Sequence, residues 1–204
     1  MTNLEQLYLN KSNIPKRYLR DISLIPSTQD LKTFEELNDI KNNIVNFVDE
    51  GKNLLIYSSH VGNGKSTWAI KMMKEYINKV KDTYINCPAF FINVNDFLME
   101  KKLAIENASK KSYTTDVENK ILSSNLVVFD DLGVKNISEY DLGNLYYWIN
   151  TRTNQLKSSI YTSNLVPERL RSLLDDRLYS RIVNYSILKE IKDGDSRNVG
   201  EFRC

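Results

Sequence analysis

The sequence holds one histidine and two cysteines, Cys87 and Cys204, among its 204 residues. A Cys/His zinc centre needs three or four such ligands, so that class is set aside, and two thiols so far apart give no disulfide framework. The opening residues, MTNLEQLYLNKSNIPKRY, lack the apolar core of a secretory leader, and the expected compartment is the reducing cytoplasm. No run approaches the roughly 20 apolar residues of a membrane-spanning helix. A dominant charge is also missing. Lys and Arg number 28 against 26 Asp and Glu, a formal net charge of +2, so any nucleic-acid surface has to be local. Proline and glycine are scarce, at 4 and 7 residues, and no repeat or low-complexity segment stands out. What remains is an ordinary globular composition, 41% hydrophobic and 26% charged, in a chain long enough for one domain with a good core.

Within that composition one segment is distinctive. Ser59-His60-Val61-Gly62-Asn63-Gly64-Lys65-Ser66-Thr67 follows the apolar run Leu54–Tyr57 and precedes a helical stripe of Trp68, Met72, Tyr76 and Val80, with Ala69, Met73 and Ile77 beside it. Strand, glycine-bearing loop and helix are the context of a phosphate-binding P-loop. Backbone N–H groups of such a loop curl around an anion, and the helix start adds its positive dipole end. Gly62 and Gly64 let the chain approach the phosphates, Lys65 would reach the β- and γ-phosphates of ATP, and the Ser66 hydroxyl would ligate Mg²⁺. The pattern G-x-x-x-x-G-K-[ST] asks for glycine where this chain has Ser59, which serine can satisfy if its φ stays negative. The competing reading is a plain glycine turn with Lys65 in solvent.

Further strands are expected at Phe90–Val94, Leu126–Phe129, Ser159–Ser163 and Tyr185–Ile191. Helices are expected from Asp30 to Glu50, from Asn95, across the polar stretch Lys101–Ser124, from Glu139 to Gln155, and around Pro167–Leu174. Alternation of strands with helices predicts an α/β fold: a five-stranded parallel sheet with helices on both faces. Asp130 and Asp131 follow the buried run Leu126–Phe129, at the sheet edge where ligands bind in such folds. Beside a P-loop, Asp130 would bind Mg²⁺, mostly through water, and Asp131 would orient or deprotonate the water that attacks the γ-phosphate. Alone, the pair would read as an acidic loop capping the next helix.

Several separated motifs now agree. Ile14-Pro-Lys-Arg-Tyr18, the P-loop, Val127-Val-Phe-Asp-Asp-Leu-Gly133, Ile149-Asn-Thr-Arg152, Tyr161-Thr-Ser-Asn164, Asp176-Arg-Leu-Tyr-Ser-Arg-Ile182 and Gly194-Asp-Ser-Arg197 stand in the order seen in one family. The chain resembles the helicase-loader branch of the AAA+ ATPases, the DnaC and DnaI type, with the IstB-type transposition ATPases as relatives. The resemblance implies a P-loop NTPase fold of the AAA+/ASCE kind without the C-terminal lid domain of typical members. It divides the chain into an N-terminal arm, residues 1–28, and an ATPase domain, residues 29–204. It also implies that Asn164 is the sensor-1 residue facing the γ-phosphate or attacking water. An Asn after a strand otherwise reads as a helix cap or turn residue. Arg181 matches the arginine finger, inserted into a neighbouring subunit's ATP site, with Arg177 the competitor. Arg197 resembles an arginine that contacts the phosphates in cis. The implied partners are a replicative DnaB-type helicase, single-stranded DNA and further copies of the chain.

The arm has no room for the helicase-gripping domain of cellular loaders, although a short helix carrying Leu4, Leu7, Tyr8 and Leu9 could dock in a partner's groove. The brief arm and the Asn-, Lys- and Ile-rich composition suit a phage or mobile-element protein. Lys101, Lys102, Lys110 and Lys111, with Tyr113 as a stacking ring, are candidates for a single-strand contact, equally readable as a solvated charged helix. Tyr140, Tyr146, Tyr147 and Trp148 read as core or interface. Two other functions stay open: a transposition helper that prefers duplex DNA, and a module that binds ATP and barely hydrolyses it.

Overall fold

Each apolar run becomes a strand in the computed structural model, which describes residues 3–20, 22–83, 86–105, 107–133 and 137–192. The strands are β1 (Asn53–Tyr57), β2 (Ala89–Asn93), β3 (Leu126–Leu132), β4 (Ser158–Ser163) and β5 (Ser186–Glu190). They form one parallel sheet in the order β2-β3-β4-β1-β5. Parallel strands are buried on both faces; β1 to β3 carry apolar runs, and β4, Ser158–Ser163, is buried throughout with Ile160 and Tyr161 between serines and Thr162. On one face lie α1 (Asn3–Lys11), α2 (Leu31–Asn42), α3 (Ile44–Asp49) and α4 (Lys65–Val80); on the other lie α5 (Val94–Ala104), α6 (Ala108–Ser123), α7 (Glu139–Asn154), α8 (Pro167–Leu173) and α9 (Asp176–Tyr179). The period-2 geometry of the strands feeds both cores. Leu54, Ile56, Phe91 and Val128 point to the first face, and Leu55, Phe90, Ile92 and Phe129 to the second.

The stripe read into α4 is real: Trp68, Met72, Tyr76 and Val80 are all buried. The single helix expected from Asp30 to Glu50 is two. Asn43 breaks it at φ −103, ψ 24, and its side-chain amide donates to the Asp39 carbonyl at 3.0 Å. Asn competes in this way for backbone acceptors that a continuing helix would use. The polar stretch Lys101–Ser124 likewise divides, α5 ending at Ala104 and α6 starting at Ala108.

The N-terminal helix also departs from expectation. Tyr8 and Leu9 of α1 are buried in the protein's own core, so two of the residues offered to a partner are already used, while Leu7 stays exposed. After α1, the Ser12 carbonyl accepts from Phe91 N at 2.8 Å and the Asn13 amide donates to the Phe91 carbonyl at 3.0 Å. These bonds cover the open edge of β2, which would otherwise present unpaired backbone groups. No helix among the described residues is long and apolar enough to cross a membrane. The chain after Lys192, where Arg197 stands and where any lid would begin, lies outside the described residues.

Candidate active site

The strand order sets β4 between β1 and β3, so the C-terminal ends of these three strands lie side by side. The loop after β1, the Asp pair of β3 and Asn164 after β4 therefore share one edge of the sheet. That edge is where open α/β sheets take their ligands.

The loop starts at Ser58, whose N–H donates to the Ser163 carbonyl at 3.1 Å. The Ser58 hydroxyl is fully buried and accepts from His60 N at 3.0 Å and from the Asn63 amide. Gly62 and Gly64 sit at φ 81 and 91, the left-handed region that residues with a Cβ avoid. A Cβ on Gly64 would also come within 2.8 Å of the Leu24 side chain. Ser59 is not among the positive-φ residues, which is the condition under which serine is tolerable there. It is exposed, with its hydroxyl 3.3 Å from His60 Nδ1. His60 and Val61 are open to solvent, whereas Asn63, Lys65 and Thr67 are buried. Gly64 is the N-cap of α4 and has no side chain to cap with, so the first-turn N–H groups remain for an anion.

Lys65 is only 6% exposed. Its ammonium donates to the His60 carbonyl at 2.8 Å and to Asn63 Oδ1 at 2.9 Å. Burial pushes its pKa down to about 8, against the opposing pull of Asp131 and Asp130. The lysine is thus held inside the loop, desolvated and close to two carboxylates.

The acids owe their placement to an irregularity in β3. Phe129 pairs with Tyr161 and Leu132 with Ser163, so β3 spends one more residue than β4 over that span: a β-bulge. Bulges re-aim side chains next to active sites. Asp131 takes up the bend at φ 61, a conformation Asp tolerates better than most residues. Its N–H donates to the Thr162 hydroxyl at 2.9 Å, and that hydroxyl donates to Asp130 Oδ1 at 2.7 Å. Asp130 is 4% exposed. Burial raises its pKa, Thr162 and the Ser66 hydroxyl oppose the rise by hydrogen bonding to its carboxylate, Asp131 adds to it, and the charge of Arg17 opposes it. The Asp131 carboxylate is held at both oxygens. Asn164 Nδ2 donates to Oδ1 at 2.8 Å and Asn95 Nδ2 to Oδ2 at 3.3 Å.

Lys65, Ser66, Asp130, Asp131 and Asn164 are therefore brought together as the sequence suggests. Thr162, Asn95 and Ser58 belong to the same group and were not singled out from sequence. Thr162 had a signal, being the residue opposite the Asp pair in the Tyr161–Asn164 motif. Asn95 had none, because its reach to Asp131 depends on the neighbouring strands β2 and β3.

Other candidates lie elsewhere. Arg177 is exposed in α9, over the Tyr146 ring at 4.9 Å and 3.8 Å from Asp175. Arg181 sits in the π-helical turn Ser180–Asn184, over the Tyr185 ring at 5.3 Å. Among the described residues neither is bonded to the Asp pair. Arg152 stands at the opposite edge of the sheet. Fully buried, it donates to the carbonyls of Ile121, Ser124, Asn125 and Ser158 and to the Ser159 hydroxyl. It closes the end of α6 and has no part in the site. Two of the lysines weighed as single-strand contacts form ion pairs within the chain. Lys101 pairs with Glu118 against the Trp148 ring, and Lys102 pairs with the buried Asp141. Lys110 and Lys111 are exposed, and Tyr113 is 49% exposed. Trp148 is core, while Tyr140 and Tyr147 are exposed.

Residues 6–195 match the family described as IstB-like ATP binding protein. No match was found among curated proteins. Among solved structures, the DnaC helicase loader shares the fold at a TM-score of 0.68 and 23% identity, over 87% of this chain and 100% of that one. DnaI gives 0.64 at 18% identity, over 88% and 95%. The replication initiator DnaA bound to AMPPCP and single-stranded DNA gives 0.62 at 21% identity, over 91% of this chain and 53% of that one; this chain spans about half of that protein. At such identities the likeness is one of fold, the P-loop AAA+ arrangement of a parallel sheet between two helical layers.

Proposed function

This chain belongs to the IstB-like ATP binding protein family, and on that premise we infer that it binds ATP with Mg²⁺ and hydrolyses it as a DnaC/DnaI-like replication accessory. The observation that carries the reading is the convergence of Lys65 and Ser66 with Asp130, Asp131 and Asn164 on one sheet edge. The loop from Ser59 to Thr67 wraps the phosphates with backbone N–H groups. Lys65 neutralises the β- and γ-phosphates. Asp131, fixed by Asn164 and Asn95, orients the attacking water and takes its proton. Asn164, which donates to Asp131 Oδ1 at 2.8 Å, is assigned a contact with the γ-phosphate as well.

The residues fit a magnesium ion. Ser66 and Asp130 offer hard oxygens already within hydrogen-bonding reach of one another, and Mg²⁺ takes one or two such protein ligands besides water and phosphate. A divalent cation would also relieve the burial of the Asp130 charge next to Asp131. Asn95 Oδ1, buried without a donor among the described residues, fits a site that holds further hydrogen-bonding groups. When bound, the ion would neutralise charge on the phosphoryl oxygens.

Arg181, partly exposed in the turn Ser180–Asn184 whose Ile182 and Val183 are buried, completes the site from a second copy. The domain acts beside single-stranded DNA and a replicative DnaB-type helicase, with Lys110, Lys111 and Tyr113 as the strand contact. The second reading, a transposition helper that prefers duplex DNA, is compatible with the same IstB-like family match. Steady-state ATP hydrolysis without DNA, with single strands and with duplex separates the two. Stimulation by single strands supports the loader reading, stimulation by duplex alone supports the transposition helper, and absence of any turnover contradicts both.

A further inference from the structure

Between two paired positions, Phe129 with Tyr161 and Leu132 with Ser163, β4 has a single residue, Thr162, facing two on β3, Asp130 and Asp131. A residue on the long side of a bulge leaves the ladder, and its N–H needs another acceptor. Asp131 finds one in the Thr162 hydroxyl at 2.9 Å. The same hydroxyl lies 2.7 Å from Asp130 Oδ1. Thr162 is 1% exposed, so solvent does not compete for either contact.

A hydroxyl carries one proton and two lone pairs. The Asp131 N–H can only donate and an ionised carboxylate can only accept. The arrangement therefore has one sense: a lone pair toward Asp131 N and the proton toward Asp130 Oδ1. The second of these bonds is charge-assisted, the stronger kind. Threonine is stiff at χ1 because it is β-branched, and β4 is paired on both sides, to β1 and to β3, so the oxygen is firmly placed. One atom thus ties down both the carboxylate assigned to the metal and the backbone of the residue assigned as base. Its proton is committed to Asp130 and the side chain is buried, which leaves it nothing to offer a phosphate.

We propose that Thr162 is a positioning residue for hydrolysis, its hydroxyl setting the placement of Asp130 and Asp131 relative to each other without touching the nucleotide. The role rests on the reading of this sheet edge as a site of ATP hydrolysis. Without the hydroxyl, the Asp131 N–H loses its acceptor inside the bulge, which is unfavourable. The bend at φ 61 then loses its tie to β4, and the Asp131 carboxylate shifts with its backbone. A displacement of about 1 Å in a catalytic group can lower a rate by about 10²-fold. The phosphate-binding loop joins β1 to α4 and keeps its shape.

Thr162→Val keeps the outline of the side chain and removes the hydroxyl; Thr162→Ser keeps the hydroxyl and removes the methyl. Amide hydrogen exchange on the full chain without nucleotide reads the tie itself. The Asp131 amide should exchange about tenfold faster or more in Thr162→Val and within about threefold of the parent in Thr162→Ser, the buried Leu55 amide of β1 serving as the reference for overall stability. With ATP and Mg²⁺, Thr162→Val should lose about 10²-fold in kcat at a KM within about threefold, and Thr162→Ser should recover most of that loss. Should Thr162→Val fail to fold, Thr162→Ala is compared with Thr162→Ser in the same two measurements. Parent-like exchange at Asp131 without the hydroxyl, a parent-like kcat without it, or a Thr162→Ser as impaired as Thr162→Val each overturns the assignment and leaves the nucleotide reading standing. If the parent itself hydrolyses no ATP, the hydrolytic reading fails on its own, and the Asp131 exchange still decides whether Thr162 holds the two acids.

Discussion

The Asn164 amide donates to Oδ1 of Asp131 at 2.8 Å, tying the residue after β4 to the carboxylate at the end of β3. The two are neighbours only because β4 lies between β1 and β3. A base that activates water has to be aimed before it can act, and in the role proposed for Asp131 this bond would aim it.

Asn164→Ala should therefore reduce hydrolysis by about 10²-fold while leaving ATP affinity within about threefold, because it removes orientation and not the phosphate cradle. Single-turnover hydrolysis, paired with equilibrium binding of a fluorescent ATP analogue, checks both halves. A comparable loss in affinity and in rate would assign Asn164 to binding instead.

Lys65 gives a pH signature. Burial disfavours its charge and holds its pKa at about 8, below the ordinary 10.5. Bound phosphate restores the preference for the ammonium. Below about pH 8 both states carry the proton and affinity is flat in this group; above it, binding must take up a proton and weakens by up to about tenfold, ~1.4 kcal/mol, per pH unit. Calorimetric titrations with ATP across that range read the effect as falling affinity and proton uptake. Lys65→Arg should bind with little slope, since arginine stays charged throughout.

Arg152 tests the fold without touching the site. Its guanidinium satisfies four backbone carbonyls and the Ser159 hydroxyl at the edge opposite the P-loop. Arg152→Met fills much of the space yet strands those acceptors, and should cost at least ~3 kcal/mol of stability. Urea unfolding measures it. The folded fraction should still bind ATP with unchanged affinity.

Arg181 is expected to act across subunits. Arg181→Ala should bind ATP normally and lose DNA-stimulated turnover, and so should Asp131→Asn. Mixed in equal amounts, the two should recover part of the activity, since an intact Arg181 then faces an intact Asp131 at some interfaces. Arg177→Ala, which removes an exposed side chain resting on Tyr146, should keep most of the activity. Full activity of Arg181→Ala alone would remove it from the mechanism.

The sheet, its strand positions and the loop were legible because they rest on local signals: apolar runs, the stripe on α4, and glycines where φ must be positive. The Asp pair was legible as chemistry, but its geometry was not. A one-residue bulge that places Asp131 at φ 61 has no marker in Phe129-Asp-Asp-Leu132. Asn95 stayed hidden because its contact with Asp131 crosses from β2 to β3. Lys101 and Lys102 looked free because Glu118 and Asp141, which pair with them, are distant in sequence. Tyr8 and Leu9 looked available for a partner for the same reason, since their burial depends on the sheet and α4. The division of one expected helix at Asn43 was local, yet Asn is common enough within helices that the break showed only in its bond to Asp39.

Asp131→Asn measured for ATP binding and ATP hydrolysis, side by side with the parent and with Mg²⁺ present, is the most direct test of the site. The substitution preserves shape and removes the base, so binding should stay within about threefold while turnover falls by about 10²-fold or more. Hydrolysis at the parent's rate in Asp131→Asn would contradict the assignment of this carboxylate and the catalytic reading built around it.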